Sequence, residues 1–236
     1  MKGNLLSEWN ALNCEIVACE RCPRLRAYCQ QVAQTKRRAF REERYWGKPV
    51  PNFGRPDARL LIVGLAPAAH GGNRTGRLLT GDASGDFLFD ALYEVGFCNQ
   101  PTSTHYDDGL ELYDCALCAA VRCAPPHNKP TAEERAHCFP FLVQTVRLMP
   151  RLQGLLALGQ VAMEACVALA RSEGWLPPDC RPQFEHGTLY PLEGGRFLAV
   201  SYHPSARNTY TKLLTKPMMV ELLRQVRHRL YTLEGG

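Results

Sequence analysis

The sequence predicts an α/β fold, a single domain with a central four-stranded parallel sheet flanked by helices. Short aliphatic runs alternate along the chain with longer segments of helical spacing, a pattern typical of parallel sheets covered on both faces. The 236 residues can fill one α/β core, and 45% hydrophobic residues is an ordinary globular proportion. We therefore expect one domain over residues 1–236.

The predicted elements begin with a helical stretch over residues 7–41, followed by an extended, proline-rich connection over 47–57. Each buried strand is predicted from a short aliphatic run that ends near glycine, proline or a polar residue: 59–65, 119–123, 155–159 and 197–202. Helices are expected at 84–95, 131–148, 160–170 and 216–231. Thr131 and Glu134 have the spacing of a capping box, which indicates a helix start.

Three unusual loops follow predicted strands, at 64–81, 122–130 and 203–208. The carboxyl ends of parallel strands lie on one edge of a sheet, and open α/β sheets bind their ligands there. The loops are therefore predicted to meet in one site.

Composition and charge limit which partners and which cellular compartment are expected for this protein. A net charge of +5 permits a nucleic-acid partner without requiring one. The sequence contains no long apolar run of the kind that spans a membrane, and its first residues lack the apolar stretch of a signal peptide. We expect a cytoplasmic protein with no membrane partner. Eleven cysteines, an odd number, in a reducing compartment favour metal ligation over a disulfide framework.

Four of these cysteines form the best candidate metal set: Cys19 and Cys22, which are flanked by charge and by Pro23, with Cys123 and Cys138. Such thiolates could enclose an iron–sulfur cluster, and a tetrahedral zinc ion would accept the same four. A rival pair, Cys115 and Cys118, has the same spacing. The alternative for any of the remaining cysteines is a buried thiol that packs as a small apolar side chain.

The first loop offers cations and one acid. Arg74 and Arg77 suit an anion, and glycines allow a ligand to approach the backbone. Asp82 is the sole carboxylate of the wider segment 64–85, although its position before a helix, taken alone, favours an N-cap or first-turn acid. In the second loop, the amide of Asn128 could pair with the donor and acceptor edges of a base, or it could belong to an ordinary turn.

The third loop places His203 at the end of a predicted strand, where it could donate to a developing anion. The alternative is a packed histidine. Ser205 and Arg207, a few residues further on, could hold phosphates.

Taken together, these loops resemble the family 5 uracil-DNA glycosylases. The matching segments are Gly64-Leu-Ala-Pro-Ala, Gly72-Asn-Arg-Thr-Gly76, Thr80-Gly-Asp-Ala-Ser-Gly85, Val121-Arg-Cys-Ala-Pro-Pro, Asn128-Lys-Pro and His203-Pro-Ser with Asn208. The cysteine pattern matches the cluster ligands of that family and of its family 4 relatives. The resemblance runs from about Cys19 to the C-terminal helix.

The resemblance implies a uracil-DNA glycosylase-like fold and a [4Fe–4S] cluster at Cys19, Cys22, Cys123 and Cys138 that ties residues 1–57 to the remainder. It implies excision of uracil, hypoxanthine and xanthine from DNA in base excision repair, by a monomer associated with the nucleoid. Asp82 would carry the catalytic carboxylate role, and His203 would assist the leaving group. Asn128, with Gly64 and Ala66, would contact the base.

The same comparison bears on several individual residues. Ala68 and Ala69 stand where other branches have a polar residue, so Asp82 would also orient the water. Relatives often carry an aromatic residue where this chain has Leu79, and Phe53 is a candidate to stack on the base instead. Arg74, Arg77, Arg207 and Lys212 would contact the DNA backbone.

Two other functions stay open from the residues alone. The chain could be an iron–sulfur or zinc module that binds damaged DNA without catalysis, which would release no free base. It could also be a small-molecule N-ribohydrolase, which would cleave free nucleosides and bind them with little dependence on salt.

Overall fold

One six-stranded sheet organises the computed structural model, which describes residues 2–232; residue 1 and residues 233–236 of the predicted domain lie outside the described residues. The strands are β1 Phe53–Gly54, β2 Leu60–Gly64, β3 Cys115–Ala119, β4 Gly154–Leu158, β5 Leu189–Pro191 and β6 Phe197–Ser201. The helices are α1 Lys2–Val17, α2 Pro23–Thr35, α3 Gly72–Thr75, α4 Ala83–Val95, α5 Ala132–Arg147, α6 Gln160–Ser172, α7 Ala206–Tyr210 and α8 Lys216–Thr232.

The sheet order is β1-β3-β2-β4-β6-β5, and the four central strands, β3, β2, β4 and β6, are parallel. The predicted α/β class and the four parallel strands are thus confirmed. The sheet is nevertheless mixed and has six strands, because β1 and β5 add antiparallel edges. Strands of two and three residues are too short for an alternation pattern to reveal them.

The strand predicted at 119–123 was wrong, because the observed strand is Cys115–Ala119. The rival pair Cys115 and Cys118 lies inside it, and both side chains are buried in the hydrophobic core. Their small apolar thiols pack as alanine would, so this pair is confirmed as structural. The residues after Ala119 leave the strand, although Ala120 N–H still bonds to the carbonyl of Gly64 at 2.9 Å.

The N-terminal helix predicted over 7–41 is two helices, α1 and α2, with a break between them. Pro23 occupies the first turn of α2, where the missing N–H of proline costs nothing. The Cys19–Cys22 pair therefore lies at the break and not on a continuous helix. The predicted capping box is confirmed: Thr131 accepts from Glu134 N–H at 3.2 Å, and Glu134 accepts from Thr131 N–H at 2.7 Å.

Both faces of the sheet are buried, as expected for parallel strands. Along β2, Leu60 and Ile62 face one core together with α4 and α8, while Leu61 and Val63 face a second core with α5 and α6. Helix α1 packs on α5 through a small cluster of Leu12, Ile16 and Phe141. Within residues 2–232, no helix combines the length and apolar composition that a bilayer span would need.

Candidate active site

A cavity of about 520 Å³ opens at the carboxyl edge of the sheet, between the loop after β2 and the loop after β3. It brings two of the predicted residues, Asp82 and Asn128, to one surface, as the convergence of these loops predicted. Its remaining lining residues are Tyr28, Arg37, Phe40, Ala68, Ala69, His70, Gly71, Gly81, Ala83, Pro125 and His127.

Asp82 serves both as a helix cap and as a cavity residue. Its Oδ1 accepts from the N–H groups of Ser84 and Gly85, each at 3.0 Å, and so caps α4. Its Oδ2 lies against Gly71, where any larger residue would collide with it. Burial raises the pKa of Asp82 above its ordinary value, while the two amide hydrogen bonds partly oppose that rise. The arrangement fixes a carboxylate oxygen at the cavity wall.

Arg74 and Arg77 hold the shape of the loop that carries Asp82. Arg74 forms an ion pair with Glu43 and donates to the carbonyls of His70 and Gly81, both at 2.8 Å. Arg77 is only 3% exposed and donates to Asp108 at 2.6 Å and to Ser103 at 2.9 Å. The structure corrects the prediction that these two arginines contact DNA phosphates, because the loop and its neighbours engage them internally.

We expect Arg77→Met to lower the free energy of unfolding by about 3–5 kcal/mol, because Asp108 would stay buried without its cation. Burial alone would raise the pKa of Asp108, but Arg77 and three backbone amides lower it to about 2. The stabilisation is therefore present above the ordinary carboxyl pKa and is lost as the pH falls towards 2. Urea unfolding at pH 7 measures it.

The control for this change is Arg207→Met, which removes an exposed arginine of α7 and should leave stability unchanged. If Arg77→Met unfolds like the parent protein but loses salt-dependent DNA binding, Arg77 belongs at the DNA surface after all.

Asn128 stands exposed at the rim of the cavity. It and His127 both adopt left-handed backbone angles, with φ of 57° and 55°, in a short turn after Pro125. Its N–H bonds to the carbonyl of Pro125 at 3.1 Å. Across the part of the chain that the structure describes, its side-chain amide has no hydrogen-bond partner. The turn that the sequence allowed as an alternative thus leaves the amide available to a ligand.

His203 follows β6 but does not line this cavity. It lies beside Gly159 at the end of β4, where an added Cβ would stand 3.2 Å from the Cβ of His203. Burial lowers the pKa of His203, which favours the neutral imidazole. The structure therefore places His203 on the same edge of the sheet as Asp82 but outside the group formed by Asp82 and Asn128.

Gly64 and Ala66 also lie outside the cavity lining. Gly64 is buried as the last residue of β2, and Ala66 packs against the cluster that contains Cys22 and Cys123. Gly64 and Ala66 thus do not share the cavity with Asn128, and their contact with a base stays a prediction.

The loop after β6 presents exposed polar and aromatic groups. Ser205 caps α7 by accepting from Asn208 N–H at 3.3 Å. Arg207 and Lys212 are exposed, and Tyr210 is 82% exposed. This surface stands on the same edge of the sheet as the cavity, so it can contact a ligand that extends beyond the cavity.

The sequence did not single out His70 or Phe40, which both line the cavity. The Phe40 ring lies under the Arg74 guanidinium, 3.8 Å from its centroid. Phe53, the predicted stacking ring, packs against the core beneath Arg77, and Leu79 is 6% exposed. Neither reaches the cavity, so Phe40 replaces Phe53 as the aromatic candidate. No local signal distinguished Phe40, whereas the polar His70 within an apolar loop segment could have been noticed.

The predicted metal ligands gather at the break between α1 and α2. Cys22, Cys123 and Cys138 belong to one buried cluster, and Cys19 packs on the adjoining one. Burial, the neighbouring Cys138 and nearby acids raise the pKa of Cys22 to about 11. Arg24 links α2 to α5 here, since it donates to both carboxylate oxygens of Glu134, at 2.8 and 2.7 Å.

Cys138 thus lies within electrostatic reach of each of the other three thiols, Cys19, Cys22 and Cys123. Among residues 2–232, however, no three or more histidine, cysteine, aspartate or glutamate side chains are placed to hold a metal ion. The donor set, three buried sulfurs and the partly exposed Cys19, fits an iron–sulfur centre in its chemistry, and such a centre is larger than a single ion.

Comparisons with known proteins identify the family of this chain. The family model described as the Uracil DNA glycosylase superfamily matches residues 51–227. A Type-5 uracil-DNA glycosylase of Thermus thermophilus is 49% identical over 212 residues, covering 90% of this chain and 94% of that protein. A Type-5 uracil-DNA glycosylase of Mycobacterium bovis is 44% identical over 92% of this chain and 80% of its own length. A Type-4 uracil-DNA glycosylase of Pyrobaculum aerophilum is 27% identical over 69% of the chain and 74% of its own length.

Proposed function

This chain belongs to the uracil DNA glycosylase superfamily, and on that premise we propose that it is a DNA repair hydrolase that cleaves the N-glycosidic bond of uracil in DNA. The observation that carries the proposal is the cavity of about 520 Å³ in which the half-buried carboxylate of Asp82 stands with the free amide of Asn128. The carboxylate can stabilise positive charge on the sugar, and the amide can pair with the edges of a base.

The target base cannot react inside a duplex, because it is stacked between its neighbours and the enzyme cannot reach the glycosidic bond. Flipping the nucleotide out costs a few kcal/mol, and less where the base is mispaired. The cavity would hold the extruded base, with the Phe40 ring as a stacking surface backed by Arg74. The exposed Arg207 and Lys212, with Ser205, would contact the flanking phosphates.

Bond cleavage leaves positive charge on the sugar and negative charge on the base. In the proposed mechanism, the Oδ2 of Asp82 stabilises the sugar cation and orients the attacking water. The capping hydrogen bonds to Oδ1 prevent the carboxylate from turning away. His203 is proposed to assist the departing base from the neighbouring side of the sheet edge.

The proposal extends to deaminated purines, hypoxanthine and xanthine. Because the amide of Asn128 makes no internal hydrogen bond in the described part of the chain, it can present its oxygen or its NH₂ group to different base edges. We expect Asn128→Ala to change the relative excision rates of uracil and hypoxanthine, by about 10-fold or more for the base that uses both groups.

Single-turnover rates on matched oligonucleotides measure this effect. Lys129→Ala, which alters the next exposed residue of the same loop, is the control and should leave the ratio unchanged. An unchanged ratio in Asn128→Ala would remove Asn128 from base selection.

We also propose that Cys19, Cys22, Cys123 and Cys138 hold a [4Fe–4S] cluster. The cluster would crosslink distant parts of the chain. It would take no part in the reaction, because hydrolysis does not oxidise or reduce the substrate. It would join residues 1–57 to the remainder in a single domain. The chain is further proposed to act as a monomer in the cytoplasm, at the nucleoid.

Release of free uracil from a uracil-containing oligonucleotide tests the main proposal. Tight binding without release would instead indicate a damaged-DNA-binding module. Cleavage of free deoxyuridine, with no steep loss of affinity as salt rises, would indicate a small-molecule N-ribohydrolase.

A further inference from the structure

His70 lines the same cavity as Asp82 and Asn128, yet the proposed mechanism gives it no part. It directly precedes Gly71, the residue against which the Oδ2 of Asp82 lies. His70 is thus next in sequence to the residue that the carboxylate contacts. Its imidazole ring can donate a hydrogen bond.

The orientation of the His70 ring follows from its partner, Tyr45. The hydroxyl of Tyr45 lies 3.0 Å from Nδ1 of His70 and accepts from the N–H of Arg37 at 3.3 Å. Tyr45 is 7% exposed, so its single hydroxyl proton needs a partner within the protein. Among residues 2–232 the acceptor within reach of this hydroxyl is Nδ1, and we therefore assign Tyr45 as the donor.

This hydrogen bond determines where the imidazole proton sits. With Nδ1 acting as an acceptor, a neutral ring carries its proton on Nε2. Burial, together with the positive charges of Arg37 and Arg74, lowers the pKa of His70 and so favours the neutral ring. Since Nδ1 faces Tyr45, the opposite ring edge, with Nε2–H, is the one left for the cavity.

We infer that His70 is a catalytic residue that donates from Nε2–H to the departing base, with Tyr45 as the positioning residue that sets its tautomer. This inference rests on the proposed function. Within it, the bond between the sugar carbon and the base nitrogen breaks, and both electrons leave with the base. A carbonyl of the base anion accepts the hydrogen bond, which strengthens as negative charge develops.

Water supplies the other atoms that the hydrolysis needs. A water oxygen bonds to the sugar carbon, and its proton passes through Asp82 to solvent. The base anion finally takes a proton from solvent. His70 stays neutral throughout, since it stabilises charge and does not transfer a proton. His203 lies outside the lining of this cavity, so the assistance proposed for it would come from the side of β6 and is separate from the His70 contact.

The test compares two leaving groups. Single-turnover excision would be measured on matched oligonucleotides that carry uracil or 5-fluorouracil, whose anion is intrinsically more stable. We expect His70→Ala to slow uracil excision by roughly 10²–10³-fold, the usual cost of losing one such donor, and to slow 5-fluorouracil excision much less. His70→Gln, which keeps an N–H donor, should recover part of the loss. Tyr45→Phe should show an intermediate loss with the same leaving-group bias.

Other results would overturn the inference in distinguishable ways. Equal losses on the two bases in His70→Ala and His70→Gln would show that His70 only supports the loop, and wild-type rates would remove it from catalysis. Wild-type protein that excises neither base would contradict the proposed function itself. Thermal unfolding of each variant identifies misfolded protein, and the ratio of the two rates does not depend on how much protein is active.

Discussion

Asp82→Asn is expected to reduce single-turnover excision of uracil by about 10³-fold, with little change in DNA binding. Asparagine is nearly isosteric and is itself a favoured N-cap, so the oxygen that accepts from Ser84 and Gly85 can be kept. The substitution therefore removes mainly the negative charge facing the sugar. Excision assays and binding measurements on the same oligonucleotide separate the two effects.

The stability of this variant gives an independent check. Because burial raises the pKa of Asp82, the folded state favours the neutral carboxyl, and this contribution to stability is lost as pH rises through the raised pKa. At pH 7 the ionised carboxylate thus opposes folding. Asp82→Asn should unfold at the same temperature as wild type or higher, while the acid limb of wild-type excision should lie above the ordinary aspartate pKa.

Asp86→Asn is the matched control, because Asp86 lies in the first turn of the same helix and is exposed outside the cavity. It should leave the excision rate nearly unchanged. If Asp82→Asn retains wild-type excision, or if both variants lose activity to the same degree, the carboxylate role does not belong to Asp82.

The second large effect is expected from Cys138→Ser. Loss of one ligand should abolish the visible absorption and iron content of anaerobically purified protein, and should destabilise the fold by several kcal/mol because metal binding and folding are coupled. For a chain of this size, each kcal/mol lowers the unfolding midpoint by about 2–4 °C, so a fall of roughly 10 °C is expected.

Two other cysteines serve as controls for the ligand assignment. Cys14 is exposed on α1, and Cys14→Ser should keep both iron and stability. Cys29 is buried in the same cluster as Cys123 but is not a proposed ligand, so Cys29→Ser should keep the iron. Stoichiometric zinc in the purified protein, or iron retained in Cys138→Ser, would contradict the proposed cluster.

Much of the fold could be predicted from local pattern. The four central strands are buried on both faces, and aliphatic runs mark three of them, β2, β4 and β6. The capping box of α5 shows in two residues, Thr131 and Glu134. The error at β3 arose because cysteine and alanine are not typical strand residues. In the folded chain they nevertheless form a fully buried strand. The edge strands escaped because they are very short.

Part of the site could also be predicted. The order of strands and loops placed Asp82 and Asn128 on one edge of the sheet, and the cavity brings them together. The phosphate role of Arg74 and Arg77 could not be judged, because their partners Glu43 and Asp108 are about thirty residues distant in the sequence. A basic residue in a loop has the same sequence signature whether it faces solvent or a buried acid.

By itself, then, the sequence determined the fold class, three of the four central strands, the superfamily and the edge of the sheet where the loops meet, since these depend on periodicity and on motifs of neighbouring residues. The tertiary structure alone decided which side chains face the cavity. It turned Arg77 inward, left His203 outside, and brought in Phe40 and His70. Those outcomes depend on packing between distant segments, because burial and hydrogen-bond partners are properties of the folded chain and not of any short stretch of it.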